Sequence, residues 1–375
     1  MNHQLHLLLS ISFFALVLNC AFITKSHSQD NPESSISWNQ SLSQPAGWYQ
    51  SSDAVRIGDN VLLYQHESGG WPKNLDMARV LSEAEKDSIR REQTEGGSTL
   101  SRPTIDNGAT FNQMRFLAQV YKETGDDRYK EGFLQGVDYL LEAQYDSGGW
   151  PQYYPIREGY YQRITFNDNA MINVMELLDN IVKNKEPYAF VDENRRAEAK
   201  MAIEKGVDII LKTQIVRDGE LTAWCAQYDE NDFSPKGARS YEHASISGSE
   251  SVAVVRYLMS IENPSPEVIN AVKGAIKWYQ EAAIHGKRLI QRENPDVDRV
   301  YERLVVEDPE APTMWARFYE IETLRPIFSG RDGIVRYNFS EIEHERQMGY
   351  SWYGSWPRSL LEEEYPSWSD KWVVD

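Results

Sequence analysis

Two short segments, Asp106-Asn107 in "TIDNG" and Asp168 in "FNDNAM", each bring carboxylate and amide oxygens to the start of a stretch with helical periodicity. Oxygen donors of this kind, with room left for water, suit a hard cation such as Ca²⁺. The ordinary role of short polar residues at such positions is to cap a helix, and neither segment has EF-hand spacing. Arginines form a second group. Arg239 lies in "KGARSYEHASISG", and Arg317, Arg325 and Arg331 lie in "APTMWARFYEIETLRPIFSGRDG". Guanidinium forks pair with carboxylates, and the surroundings of these arginines are aromatic and turn-rich rather than a charged helix face. Oxygen donors for a cation, together with gathered arginines, are what a net-acidic chain needs to hold a polyanion. The same aspartates allow another use: Asp106 and Asp168 could act as general acid and base in glycoside hydrolysis.

The elements that must position these residues are mostly helical. Apolar residues recur at three- and four-residue spacing in "NGATFNQMRFLAQVYKETG", "DDRYKEGFLQGVDYLLEAQ", "NDNAMINVMELLDNIVKN", "DENRRAEAKMAIEKGVDIILKTQ", "GSESVAVVRYLMSIE" and "SPEVINAVKGAIKWYQEAAI". Each begins with Asp, Asn, Ser or Gly, as a helix start should. Strands are expected to be few and short. The stretch "SGGWPKN" at 68–74 returns as "SGGWPQY" at 147–153 and, altered, as "YGSWPRS" at 353–359. Gln65, Gln144 and Gln214 each precede a Gly-containing turn and then Trp71, Trp150 or Trp224, a period of about 70 to 80 residues with two helices per unit. Helical hairpins repeating in this way predict an all-α fold, an α/α barrel or toroid, with the Trp-Pro turns as its corners. The inner helices are then expected to start at "TIDNG", "FNDNAM", "SGSES" and near "MWARF".

Composition bounds the rest. The chain has 375 residues, 41% of them hydrophobic, enough for one large domain. Residues 1–28 read as an export signal, with the apolar run "LLLSISFFALVLNCAFI". Lipidation at Cys20 is the less favoured alternative, because Asn19 is a poor neighbour for it. Residues 29–45, rich in Ser, Gln and Asn, read as a linker, and 46–375 as the catalytic domain. No later run approaches the roughly 18 apolar residues of a membrane span, so a secreted or periplasmic protein is expected. Export would leave Cys225 as the one cysteine, which excludes an internal disulfide and a thiolate metal site. A formal charge of −18 argues against nucleic acid and anionic membranes as partners. The 11 Trp and 21 Tyr would serve either a core or sugar-stacking loops, and the second use allows a non-catalytic carbohydrate-binding protein.

Taken in order, "GGWPKN", "TIDNG", "GGWPQYYP", "ITFNDNAM", "ARSYEHASISGSES" and "WARFYEI…RPIFSGRDG" resemble the pectate lyases of polysaccharide lyase family 10 across most of residues 47–358. The resemblance implies an α/α barrel that cleaves polygalacturonate by β-elimination with Ca²⁺ in the active site. It implies Asp168 and Asn107 as calcium ligands, with Asp106 essential to the same site. It also implies Arg239 as the base that removes the C5 proton, and Arg317 and Arg331 as binders of substrate carboxylates. A monomer is expected.

Overall fold

The computed structural model describes residues 36–95, 102–297 and 301–373. The expected export signal and Cys20 lie outside them. The helices in chain order are α1 (Trp38–Ser41), α2 (Ser52–Leu63), α3 (Glu83–Glu95), α4 (Phe111–Thr124), α5 (Asp127–Glu142), α6 (Ala170–Val182), α7 (Glu193–Thr213), α8 (Glu250–Met259), α9 (Pro266–Glu281), α10 (His344–Gly349) and α11 (Tyr365–Trp372). All six periodic stretches of the sequence are among them, as α4 to α9.

Helices α4/α5, α6/α7 and α8/α9 pack as three hairpins, with α2 against the first. Across hairpins, α4, α6 and α8 pack in one row, and α5, α7 and α9 in another. The first row is the more deeply embedded: α6 buries eight of its side chains, from Ala170 to Ile181. The two rows begin differently. In the outer row, Asp126 accepts a hydrogen bond from the Arg128 N–H, Asp192 from Arg195 and Ser265 from Val268, each satisfying a free donor of the first turn. In the inner row, the residues preceding α4, α6 and α8 (Thr110, Asn169 and Ser249) make no such side-chain bond.

The Trp-Pro turns are corners built from buried hydrogen bonds. The indole N–H of Trp71 donates to the Val61 carbonyl at 2.7 Å, that of Trp150 to Leu140 at 2.7 Å and that of Trp224 to Ile210 at 2.8 Å. All three rings are 0% exposed. Gln65, Gln144 and Gln214 complete the corners, each amide bridging its own turn to the next hairpin, at Gly132, Ala202 and Ala271 respectively, with every bond 2.7–2.9 Å. Gly69 and Gly148 are required there: both have φ near +100° (95° and 101°), and a Cβ would collide with the carbonyl of Gln135 or Lys205. Removing one such ring costs about 3–5 kcal/mol. Two expectations change as a result. These tryptophans are structural, so they do not serve as sugar platforms. The further copy of the corner is Trp315, whose indole donates to the Tyr279 carbonyl at 2.8 Å; Trp356 of "YGSWPRS" instead lies against Gly354.

Most strands span two residues, as expected, but Lys287–Glu293 and Tyr301–Glu307 form a seven-residue antiparallel hairpin that the sequence reading did not anticipate. It packs Leu289 and Val305 on a small second core around Tyr241, Phe318, Phe328 and Trp352. Arg317 does not start a helix, as "MWARF" suggested, but sits between strands Trp315–Ala316 and Phe318–Tyr319. The described part of the expected linker is folded: Ser37 and Gln40 form a reciprocal capping box around α1, and Trp38 packs against Phe116.

Candidate active site

Each aspartate of the sequence reading enters through a kinked turn that precedes an inner helix. Asp106–Gly108 leads into α4 and Asn167–Asn169 into α6, and the two turns pack against each other. Asn107 (φ 50°) and Asp168 (φ 51°) hold left-handed backbone, which Asn and Asp tolerate better than other residues with side chains. Kinked in this way, neither residue caps the helix that follows. Their side chains line a cleft of about 290 Å³ together with Lys73, Gln152, Tyr153, Arg239 and Glu242.

The cleft holds a charge network. Asp106 is buried, with Oδ2 paired to the Lys73 ammonium and Oδ1 lacking any partner. Burial alone would lower the Lys73 pKa, but Asp106 outweighs it and keeps the ammonium charged. Burial raises the Asp168 pKa, and the charges of Asp106 and Glu250 raise it further against the opposing pull of Arg317 and Arg239. Arg317, with 13% of its side chain exposed, is paired with Glu250 and lies 4.0 Å from Asp168 Oδ1. Its Nε is buried without a partner. Burial pulls the Arg317 pKa down, but Glu250 and other nearby acidic groups reverse the direction.

Arg239 occupies the tip of a tight turn, closed by backbone bonds of 2.8 Å from Ala238 to Glu242 and from Glu242 to Arg239. Glu242 folds back on the guanidinium, accepting from Nε at 2.8 Å and also from Nη2. It further accepts from the Tyr350 hydroxyl at 2.7 Å. The bond to Glu242 raises the Arg239 pKa, more than burial lowers it. Burial would raise the Glu242 pKa, but Arg239 and Tyr350 outweigh it and hold the group as a carboxylate.

Five of the six sequence-predicted residues therefore meet: Asp106, Asn107, Asp168 and Arg239 line the cleft, and Arg317 adjoins Asp168. Arg331 is not brought in. It is 64% exposed, paired with Glu345 at 3.0 Å, on a turn whose Gly333 lies beside Ser240. Sequence reading missed Lys73, Gln152, Tyr153, Arg157, Tyr160, Tyr161 and Glu242. The repeat carried a signal for two of them, because Lys73 and Gln152 stand two residues after Trp71 and Trp150, the slot Arg317 occupies after Trp315.

A hard cation fits this donor set. Asp106, Asn107 and Asp168 line one cleft from adjoining turns, one buried carboxylate oxygen has no partner, and neighbouring negative charge disfavours ionised Asp168. Among the described residues no group of three or more His, Cys, Asp and Glu gathers as a metal site, so the amide of Asn107 would have to supply the third donor.

The starts of the inner helices carry acidic turns beside Arg239 and Arg317, and comparison with known proteins gives the class of protein that carries them. Residues 65–361 match the family model for pectic acid lyase, and the chain belongs to that family: it is a pectate lyase. It is similar to the family 10 polysaccharide lyase from Cellvibrio cellulosa, with 34% identity and a TM-score of 0.73 over 88% of this chain and 94% of that one. A mutant of the Cellvibrio cellulosa enzyme in complex with trigalacturonic acid matches with 33% identity and a TM-score of 0.72, over 90% of this chain and 99% of that one. A search of curated proteins finds no match. Family membership excludes the glycoside hydrolase and the non-catalytic binding protein.

Proposed function

We propose that the chain cleaves α-1,4-linked polygalacturonate by β-elimination, using Ca²⁺ held by Asp106, Asn107 and Asp168 and Arg239 as the base, in an exported α/α toroid. The observation that carries the proposal is the meeting, in one cleft of a pectic acid lyase, of two oxygen-bearing turns with Arg239, and Arg317 beside Asp168. The complex of the Cellvibrio cellulosa enzyme with trigalacturonic acid supports the substrate class. Export suits a polymer too large to enter a cell, and no described helix is long and apolar enough to cross a membrane.

The C5 proton lies α to a carboxylate, so its removal adds negative charge to a group that is already anionic. A bound cation supplies Lewis acidity at that carboxylate. Arg317, half of a buried pair and with an unpartnered Nε–H, adds a fixed donor where this charge develops. Arg239 takes the C5 proton, the C5–H electrons form the C4–C5 double bond, and O4 leaves with its electron pair. No water is added. Arg331, exposed and paired with Glu345 outside the cleft, would meet a substrate carboxylate only by leaving that pair. Arg239 can act as a base only after leaving Glu242 and losing its own proton, so activity should rise well into alkaline pH.

The test follows the ultraviolet absorbance of the conjugated product on polygalacturonate, with and without EDTA, beside Arg239→Ala. Absorbance abolished by EDTA and by the substitution supports the proposal. New reducing ends without absorbance would overturn it.

A further inference from the structure

Most of the positive charge around the cleft is already met by carboxylates. Of its lining residues, Lys73 is paired with Asp106 and Arg239 with Glu242, and the adjoining Arg317 is paired with Glu250. Arg157 also lines the cleft. It is half-buried, and among the described residues it has no ion-pair partner.

Aromatic rings, rather than a carboxylate, hold Arg157 in position. Its guanidinium lies over the Tyr161 ring, 3.8 Å from the centroid, and 5.4 Å from the centroid of Tyr153. Those two rings meet edge to face at 5.3 Å, and Tyr160 packs against Tyr161 at 3.9 Å. The rings are tied in turn to the Trp150 corner: the Gln152 N–H donates to the Tyr161 carbonyl at 2.9 Å, and the Tyr145 hydroxyl to the Gln162 carbonyl at 2.5 Å. A guanidinium stacked by its face keeps its in-plane N–H groups for another partner, and stacking reduces the side-chain freedom that binding must remove. In a chain of formal charge −18, an arginine in a cleft without a carboxylate leaves a charge for a ligand to neutralise.

We infer that Arg157 is a specificity-determining residue, which receives the carboxylate of a galacturonate unit adjoining the one that reacts. The inference rests on the pectate-cleaving reading above, in which the cation and Arg317 serve the reacting carboxylate. A second acidic unit needs a donor of its own, and Arg157 is the cleft cation whose charge is not already met. A fork-to-carboxylate pair is lost when that carboxyl is esterified. The contact is made equally in the bound and transition states, so it lowers KM and leaves kcat nearly unchanged.

Initial rates read by ultraviolet absorbance, on polygalacturonate and on partly methyl-esterified pectin of matched length, test this for the full chain, Arg157→Gln and Arg157→Lys. Calorimetric titration with trigalacturonate gives a readout that needs no turnover. Arg157→Gln should raise KM on polygalacturonate by about tenfold, the size of one lost charge-assisted contact, and weaken trigalacturonate binding by a similar factor. On the esterified polymer its KM should change less, which narrows the discrimination between polymers. Arg157→Lys keeps the charge without the fork, so it should recover part of the affinity and of the salt dependence that Arg157→Gln loses. Thermal unfolding checks that each variant is folded. Unchanged KM and trigalacturonate affinity in folded Arg157→Gln would overturn the assignment, and so would equal losses on both polymers, which mark a structural part of the wall. No absorbance from the full chain on either polymer would overturn the lyase reading itself, and the assignment with it.

Discussion

The outer and inner helix rows start in opposite ways. Asp126, Asp192 and Ser265 spend their side chains on the free N–H groups of α5, α7 and α9. The aspartates and asparagines before α4 and α6 do not, and they are the residues that line the cleft. The third inner start is mixed: the Ser247 hydroxyl accepts the Glu250 N–H at 3.1 Å, while the Glu250 side chain, in the first turn of α8, is buried and paired with Arg317. The same residue types at the same kind of position thus cap the helix in one row and face the cleft in the other. What separates them is the left-handed kink at Asn107 and Asp168, which takes the side chain off the helix end.

The largest expected break in this pattern is Arg317→Ala. It leaves the Glu250 side chain, 3% exposed, without its guanidinium, which should cost about 3–5 kcal/mol and, on the proposed function, remove a donor to the substrate carboxylate. Urea unfolding and product absorbance should both register the loss. Next comes Asp168→Asn, for which activity should fall by about a hundredfold or more, as when a transition-state charge contact is lost, while stability does not fall. Burial and neighbouring carboxylates raise the folded-state pKa of Asp168. Its contribution to stability is therefore present below the unfolded value and is lost as pH rises through the raised one. At neutral pH the variant should be at least as stable as the parent, and the gap should close in acid. Loss of stability with activity kept would make Asp168 an ordinary cap.

Much of this contrast was legible in the sequence, and the remainder was hidden for physical reasons. The periodicity of α4 to α9 is strong because one face of each is buried. The Gln…Trp repeat is legible because each corner needs the same indole and amide. Two opportunities were passed over: "SWNQ" at 37–40 carries a Ser-x-x-Gln capping box inside a composition that reads as linker, and Lys73 shares its slot with Gln152. The hairpin at 287–307 left little trace, because most of its residues are half-buried or exposed on both faces and show no alternation. The bond between Arg239 and Glu242 joins residues three apart, yet no spacing rule outside a helix predicts that such neighbours fold back on each other.

That bond sharpens the comparison at intermediate size. The Glu242 carboxylate raises the Arg239 pKa, so Glu242→Gln should make the guanidinium easier to deprotonate. The alkaline rise in kcat should then begin at lower pH, and a profile displaced neither way would remove Arg239 from the role of base. Glu242 is a positioning residue here, so a merely structural defect would lower the whole profile without moving it.

The smallest effect belongs to the outer row. Asp192 caps α7 by accepting the Arg195 N–H at 3.0 Å, and Asp192→Ala should cost about 1 kcal/mol with kcat and KM unchanged. The exposed ion pair with Arg195 adds little to that figure. The backbone bond from Arg195 is the main cause that lowers the folded-state pKa of Asp192, with the Arg195 side chain second. Its stabilisation is therefore present above the unfolded carboxylate value and disappears as pH falls through the lowered one. The difference between variant and parent in urea should persist at neutral pH and shrink in strong acid, opposite in sign to Asp168→Asn. If Asp192→Ala slowed the reaction, the outer caps would be coupled to the cleft through α7 and α6, and the division between a row that stabilises and a row that binds would fail.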